Sequence, residues 1–267
     1  MITYIDKVSE FEKAVSSFQI HNPFLTKILI SYKSYGLDYF YTDYWYQKTK
    51  DGFTSLIFRC DGQFVLCLTD KSDLIEISTF LNMLGFRSLL YDNKYNLNIN
   101  ATEQHTGVIM RLDSHEQLFT HKKINCNEKN YNFKICKENN LKRIYSFFNS
   151  MNSGDVQISE YGSFATDLHS KIHSGCGVVY SLNKYNENQE EIVSCCITIT
   201  DGYNGIIGPV ATKHEYRQKD FAKSLISCIN SEENCKKLFL FCMDDIRKEI
   251  YTKMGFITVG KWKEIYQ

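Results

Sequence analysis

Val210-Ala211-Thr212-Lys213-His214-Glu215-Tyr216-Arg217-Gln218-Lys219-Asp220-Phe221-Ala222 is the stretch on which the fold turns. It ends an apolar run at 203–212, and from Asp220 onward Phe221, Ala222, Leu225, Ile226 and Ile229 recur at helical spacing. A strand that opens through a tight loop into a helix leaves several main-chain N–H groups without intrahelical partners, at the positive end of the helix dipole. That arrangement suits an anion. Arg217 and Lys219 flank it, so a phosphate or pyrophosphate could be held by main-chain donors and screened by side-chain charge.

Working outward, residues 131–136 read as a strand, 139–148 and 159–172 as helices, and 178–182 and 191–200 as strands joined by a polar loop. The turn pair Asp201-Gly202 then leads into 203–212. Beyond the loop and its helix come a strand at 237–242, a helix at 244–254 and a strand at 256–262. The predicted order is β-α-α-β-β-β-α-β-α-β, an α/β domain.

In these residues the chain resembles the GNAT family of acyl-CoA-dependent N-acetyltransferases. The family's central motif, Arg/Gln-x-x-Gly-x-Gly/Ala preceded by Val-x-Thr and Glu-Tyr, is matched by Val210-Ala-Thr212 and by Glu215-Tyr216-Arg217 through Ala222. Its last motif, a helix ending Leu-Tyr-x-x-x-Gly-Phe, is matched by Ile250-Tyr251-Thr252-Lys253-Met254-Gly255-Phe256. The match covers residues 131–267 and implies a mixed twisted sheet flanked by helices.

The resemblance implies acetyl-CoA as co-substrate. The backbone of Val210, Ala211 and Thr212 would hold its pantetheine arm, and the main chain of Arg217, Gln218, Lys219, Asp220, Phe221 and Ala222 its pyrophosphate. A strand N–H near Val210 would polarise the thioester carbonyl. Tyr251 would protonate the departing thiolate, a task suited to a phenol whose ordinary pKa is ~10. Glu160, His169 and Asp201 are candidate bases, beside an ordered water. Asp220 stands where the family has glycine, which sets a carboxylate and a Cβ against a pyrophosphate; alternatively, that carboxylate caps the helix in place of a phosphate. Asp244 replaces a common Asn near the cofactor and retains helix-capping chemistry. The implied reaction is acetyl transfer to a primary amine of a small molecule or peptide. The alternatives are a non-catalytic binding module of the same fold and a donor carrying another acyl group.

Other motifs read as structure. Ile246, Ile250 and Met254 form an apolar stripe beside Tyr251, so core packing is an alternative role for that tyrosine. His169 and His173, four apart, lack the intervening acid of a zinc-protease helix, so no metal is expected. The adjacent Cys195 and Cys196 have no evident activating base and read as small buried hydrophobes.

The first half mixes signals. An early helix carries Phe11, Val15, Phe18 and Ile20, and strands at 54–59 and 64–68 flank the hairpin pair Asp61-Gly62. A helix at 72–84 ends at Gly85 and feeds a strand at 86–91. The aromatic run 38–47 reads as packing. Residues 91–130, rich in Asn, His and Lys, read as the linking region, which gives domains at 1–125 and 126–267. Pairing Gly85-Phe86 with Gly255-Phe256 suggests that the first domain is a degenerate copy of the second, with Leu81 opposite Tyr251 and no phosphate loop.

The 267 residues are 43% hydrophobic and 23% charged, enough to bury a core, and 31 basic residues balance 31 acidic ones. No long-range field favours nucleic acid or an anionic membrane. The ten cysteines include no pair at two-residue spacing, the start shows no export pattern, and no run approaches the roughly 20 apolar residues of a membrane span. A cytoplasmic protein is expected. Its C-terminal strand, if at a sheet edge, could pair with a second subunit as a homodimer.

Overall fold

Asp61 and Gly62 make the turn their sequence predicts: both take positive φ, 46° and 75°, as a tight hairpin requires. The computed structural model, which describes residues 1–113, 132–151, 156, 158–186, 189–233 and 235–267, builds nine elements in this half. They are β1 (Ile2–Tyr4), α1 (Val8–Val15), α2 (Pro23–Tyr35), β2 (Thr42–Thr49), β3 (Gly52–Cys60), β4 (Gln63–Leu68), α3 (Leu74–Leu84), β5 (Ser88–Asp92) and β6 (Glu103–Asp113). The strands β1 to β4 are antiparallel neighbours, and β4 then pairs parallel with β5. The sheet is therefore mixed. The aromatic run divides: Tyr44 and Trp45 enter the core, whereas Phe40 is 79% exposed.

The second half follows the predicted order: β7 (Asn132–Lys137), α4 (Leu141–Asn149), α5 (Tyr161–His173), β8 (Gly177–Asn186), β9 (Gln189–Thr200), β10 (Asn204–Thr212), a 3-10 turn at His214–Tyr216, α6 (Phe221–Glu232) and β11 (Lys237–Cys242). The antiparallel ladder runs β10-β9-β8-β7. On one face, α4 and α5 bury Ile144, Phe147, Phe148, Phe164 and Leu168 against Val179, Ile192, Cys195 and Ile197. Of the helical stripe expected on α6, Phe221, Leu225, Ile226 and Ile229 are buried and Ala222 is half-buried. The polar loop expected at 183–189 is shorter than that, because β8 and β9 keep pairing out to Asn186 and Gln189.

The chain closes with α7 (Asp245–Lys253) and β12 (Ile257–Tyr266). Packing forms two units, Met1–Arg111 with Phe239–Gln267, and Leu112–Leu238. The end of the chain, expected with the second domain at 126–267, therefore packs with the first. The cause is β12, which lies antiparallel between β5 and β6 and completes that sheet. It is an interior strand and offers no edge for the expected pairing with another subunit. The expected linking region contains β6, and the boundary at 125/126 lies outside the described residues. At Gly107 β6 passes so close to Trp262 and the Cys242 carbonyl that a Cβ has no room. Among the described residues, no helix is long and apolar enough to cross a membrane.

Candidate active site

The loop after β10 is anchored before it reaches α6. Lys213 donates its N–H to the Val193 carbonyl at 2.9 Å and its ammonium pairs with Glu191. The ring of Tyr216, 8% exposed, packs on Phe133 and Phe221, and its Oη accepts from Lys184 Nζ at 2.7 Å. The ammonium groups of Lys184 and Lys219 lie 5.3 and 5.5 Å from the Tyr216 ring centre. Arg217 folds back on the loop, its Nε donating to the Thr212 carbonyl at 3.2 Å. Upstream, Ser194 Oγ donates to the Ala211 carbonyl at 3.0 Å and shares a 2.8 Å hydrogen bond with Thr212 Oγ1.

Two non-glycine residues of this loop, Gln218 and Asp220, take left-handed backbone, φ 63° and 59°. Asp220 thus takes a backbone conformation that favours glycine. Its carboxylate accepts no hydrogen bond from the start of α6, which overturns the capping alternative. The first turn of α6 keeps its dipole and main-chain donors with no side-chain cap.

A feature not read from the sequence lies just upstream. Pairing of β10 with β9 shifts between Ile207, opposite Thr198, and Val210, opposite Cys196, so one extra residue bulges at Gly208-Pro209. A Gly-Pro pair inside a strand was the available signal. The bulge interrupts the regular ladder beside Val210, Ala211 and Thr212.

No family model matches the chain, and no curated protein matches it by sequence. Solved structures do. A tandem GNAT protein from the clavulanic acid biosynthesis pathway aligns over 99% of this chain and 97% of its own, at 8% identity and TM-score 0.63. A GCN5-related N-acetyltransferase from Sphaerobacter thermophilus aligns over 100% and 95%, at 11% identity and TM-score 0.62. A GNAT-family acetyltransferase from Colwellia psychrerythraea aligns over 100% and 99%, at 10% identity and TM-score 0.54.

This chain folds as two GNAT halves. Each GNAT half runs β-α-α-β-β-β-α-β, which pairs α3 with α6 and β5 with β11. The internal repeat is present, with a register different from the expected one: α3 matches α6, not α7, and Leu81 has no relation to Tyr251.

The start of α3 is built in the opposite way to that of α6. Asp73 Oδ1 accepts from the N–H groups of Ile75 and Glu76 at 3.1 and 3.0 Å. The buried amide of Gln47 accepts from Asp73 N at 2.8 Å and donates to the Asp73 carbonyl and to Glu76. In the first GNAT half, side chains of the protein hold the helix-start groups whose counterparts at α6 carry no side-chain cap.

The remaining predicted residues lie as follows. Asp244 caps α7, its Oδ1 accepting from Arg247 N at 2.7 Å. Tyr251, half-buried on α7, sets its ring edge-on to Phe256 at 5.7 Å. Of the apolar stripe expected beside it, only Met254, just past the end of α7, is buried; α7 itself buries none of its residues, and Ile246 and Ile250 are 76% and 46% exposed. Asp244 and Tyr251 belong to the first packing unit, and Val210 through Ala222 to the second. Asp201 is committed to a turn, Oδ1 accepting from Tyr203 N and Asn204 N at 2.7 Å each. It lies beside Asn204, at the opposite end of β10 from the loop and roughly 20 Å from Val210 at ~3.3 Å per residue, which removes it as a base for chemistry near Val210. Glu160 and His169 are exposed on α5, where His169 and His173 stack in parallel at 6.0 Å. Cys195 and Cys196 are buried, and burial pushes the Cys196 thiol up to about 12 and Cys195 well above its usual range, so both are poor nucleophiles.

Proposed function

We propose that the second GNAT half binds an acyl-CoA, acetyl-CoA first, and that the protein transfers the acyl group to a primary amine of a small molecule or peptide. The observation that carries this reading is the uncapped, left-handed start of α6 beside Arg217 and Lys219. Arg217 N is committed to the His214 carbonyl at 3.2 Å, and the main-chain donors of residues 218–222 fit a diphosphate; the Asp220 carboxylate does not, and it lowers the affinity by charge repulsion.

Acetyl-CoA supplies an acyl thioester, already activated toward an amine. The part of this chain is to hold and to polarise. Val210, Ala211 and Thr212, beyond the bulge, are assigned to the donor's arm, and a main-chain N–H near Val210 to the carbonyl oxygen, where negative charge develops. Tyr251 is assigned as general acid for the leaving thiolate. The described cysteines form no disulfide among themselves, which suits the reducing cytoplasm proposed for this reaction.

A second reading, a binding module of GNAT fold without catalysis, is favoured by one observation: Asp220 presents a carboxylate in the glycine position. Calorimetric titration of acetyl-CoA and CoA into the full chain separates the two. Micromolar binding that is weakened in Arg217→Ala supports the enzyme. No binding by the wild type, with binding gained in Asp220→Gly, supports the module.

A further inference from the structure

In the first GNAT half the parallel pairing of β4 with β5 stops early. Gln63, Phe64 and Val65 face Ser88, Leu89 and Leu90, whereas β4 continues to Leu68 and β5 to Asp92 without further partners in each other. The two strands part there, at the position that corresponds to Val210–Thr212 in the second half. The gap is filled from within. Leaving β5, residues 93–99 turn back over it, and Tyr95 and Leu97, 8% and 7% exposed, join one core with Leu66, Leu68, Leu89 and Tyr91.

Polar groups fix this segment along its length. Tyr95 Oη lies 3.2 Å from the Leu68 carbonyl oxygen and 3.1 Å from Asp70 Oδ1, so its one proton is shared between the Asp70 carboxylate and the carbonyl that the parted strand exposes. Lys94 Nζ holds Asp70 at 2.8 Å and lies 4.7 Å from the centre of the Tyr95 ring. Further along, Asn98 N donates to Ser78 Oγ at 3.0 Å and Asn82 Nδ2 donates to the Asn98 carbonyl at 3.1 Å, both on α3.

We infer that residues 93–99 are a strap that occupies the first half's inter-strand cleft as a ligand's arm would, closing that half to an acyl-CoA so that the chain takes one donor and not two. The stoichiometry rests on the donor reading given above; the closed cleft does not. Together with Asp73 and Gln47 at α3, the strap blocks both contact regions that a diphosphate and its arm would need.

Hydrogen exchange on the full chain, with and without acetyl-CoA, tests both parts. In the ligand-free protein, amides 93–99 are expected to exchange at least 100-fold more slowly than unstructured chain. Tyr95→Gly is expected to accelerate them and the end of β4 at least tenfold; the milder Tyr95→Phe keeps the ring and should leave the fold intact with a smaller acceleration at 93–99. Exchange of 93–99 at the unstructured rate in the wild type overturns the strap. With donor present, one equivalent bound and protection confined to 206–224 supports it. Two equivalents, or protection at 63–76, overturns it while the donor reading stands. No binding, with 93–99 still slow, overturns the donor reading and supports the closed cleft.

Discussion

Asp73 and Asp220 occupy the same place in the two GNAT halves, at the start of the helix that follows the third hairpin strand, and do opposite things there. Asp73, extended at φ −80°, holds two helix N–H groups; Asp220, left-handed at φ 59°, holds none. One aspartate closes a helix start and the other leaves it open.

This contrast sets the sign of two substitutions. Asp73→Ala removes a cap and is expected to cost about 1 kcal/mol of stability with no effect on donor binding. Asp220→Gly relieves left-handed strain and is expected to add up to about 1 kcal/mol, and, by removing the opposing charge, to tighten acetyl-CoA binding about tenfold. Urea denaturation and calorimetry read the two effects separately.

Arg217 braces the loop through its Nε while its guanidinium charge flanks the helix start. Arg217→Ala is expected to weaken acetyl-CoA binding by about 1–2 kcal/mol, the scale of a charge-assisted hydrogen bond. Arg217→Lys should recover only part of that. An unchanged Kd in Arg217→Ala would remove the loop from the binding site.

Tyr251 sets its ring edge-on to that of Phe256, so Tyr251→Phe keeps that packing. If the phenol donates the proton to the leaving thiolate, kcat should fall about 100-fold while KM for the donor changes less than about twofold. Equal loss of melting temperature and activity would instead mark a packing residue.

Gly107 is a steric prediction independent of chemistry. A Cβ there would overlap the Cys242 carbonyl oxygen and come within 2.7 Å of Trp262 Nε1, both in rigid parts of the same unit. Gly107→Ala should cost about 3 kcal/mol. A melting temperature within a degree or two of wild type would show that β6 can move aside.

The second half was legible because each element there carries one clear period. The α6 stripe, the turn at Asp201-Gly202 and the strand feeding the loop all stand where their spacing put them. By contrast, α2 escaped notice although Asn22-Pro23 is a sound helix start: Phe24, Leu25, Thr26, Ile28 and Ile30 bury much of its circumference and leave little amphipathic pattern to read. The repeat was seen in the wrong register because Gly85 and Gly255 end α3 and α7 alike in left-handed backbone, φ 71° and 89°. The true counterpart, α6, ends at Glu233 in extended backbone and carries no such mark. Local ending chemistry is shared by unrelated helices. Nor could spacing tell that Ile246 and Ile250 face outward, since that depends on what packs against α7. The return of β12 to the first sheet has no local signature at all.

That return has a consequence during synthesis. Phe86 N donates to Gln267 Oε1 across 181 residues of chain, so the first sheet waits for the segment that forms β12. At the rate a ribosome adds residues, the wait is on the order of ten seconds. Throughout it, β5 and β6 both lack the strand that will lie between them, each a ready template for a stray chain. The nascent protein therefore carries two bare strand edges until β12 is made, and a chaperone that shields them on the ribosome is expected to raise the folded yield.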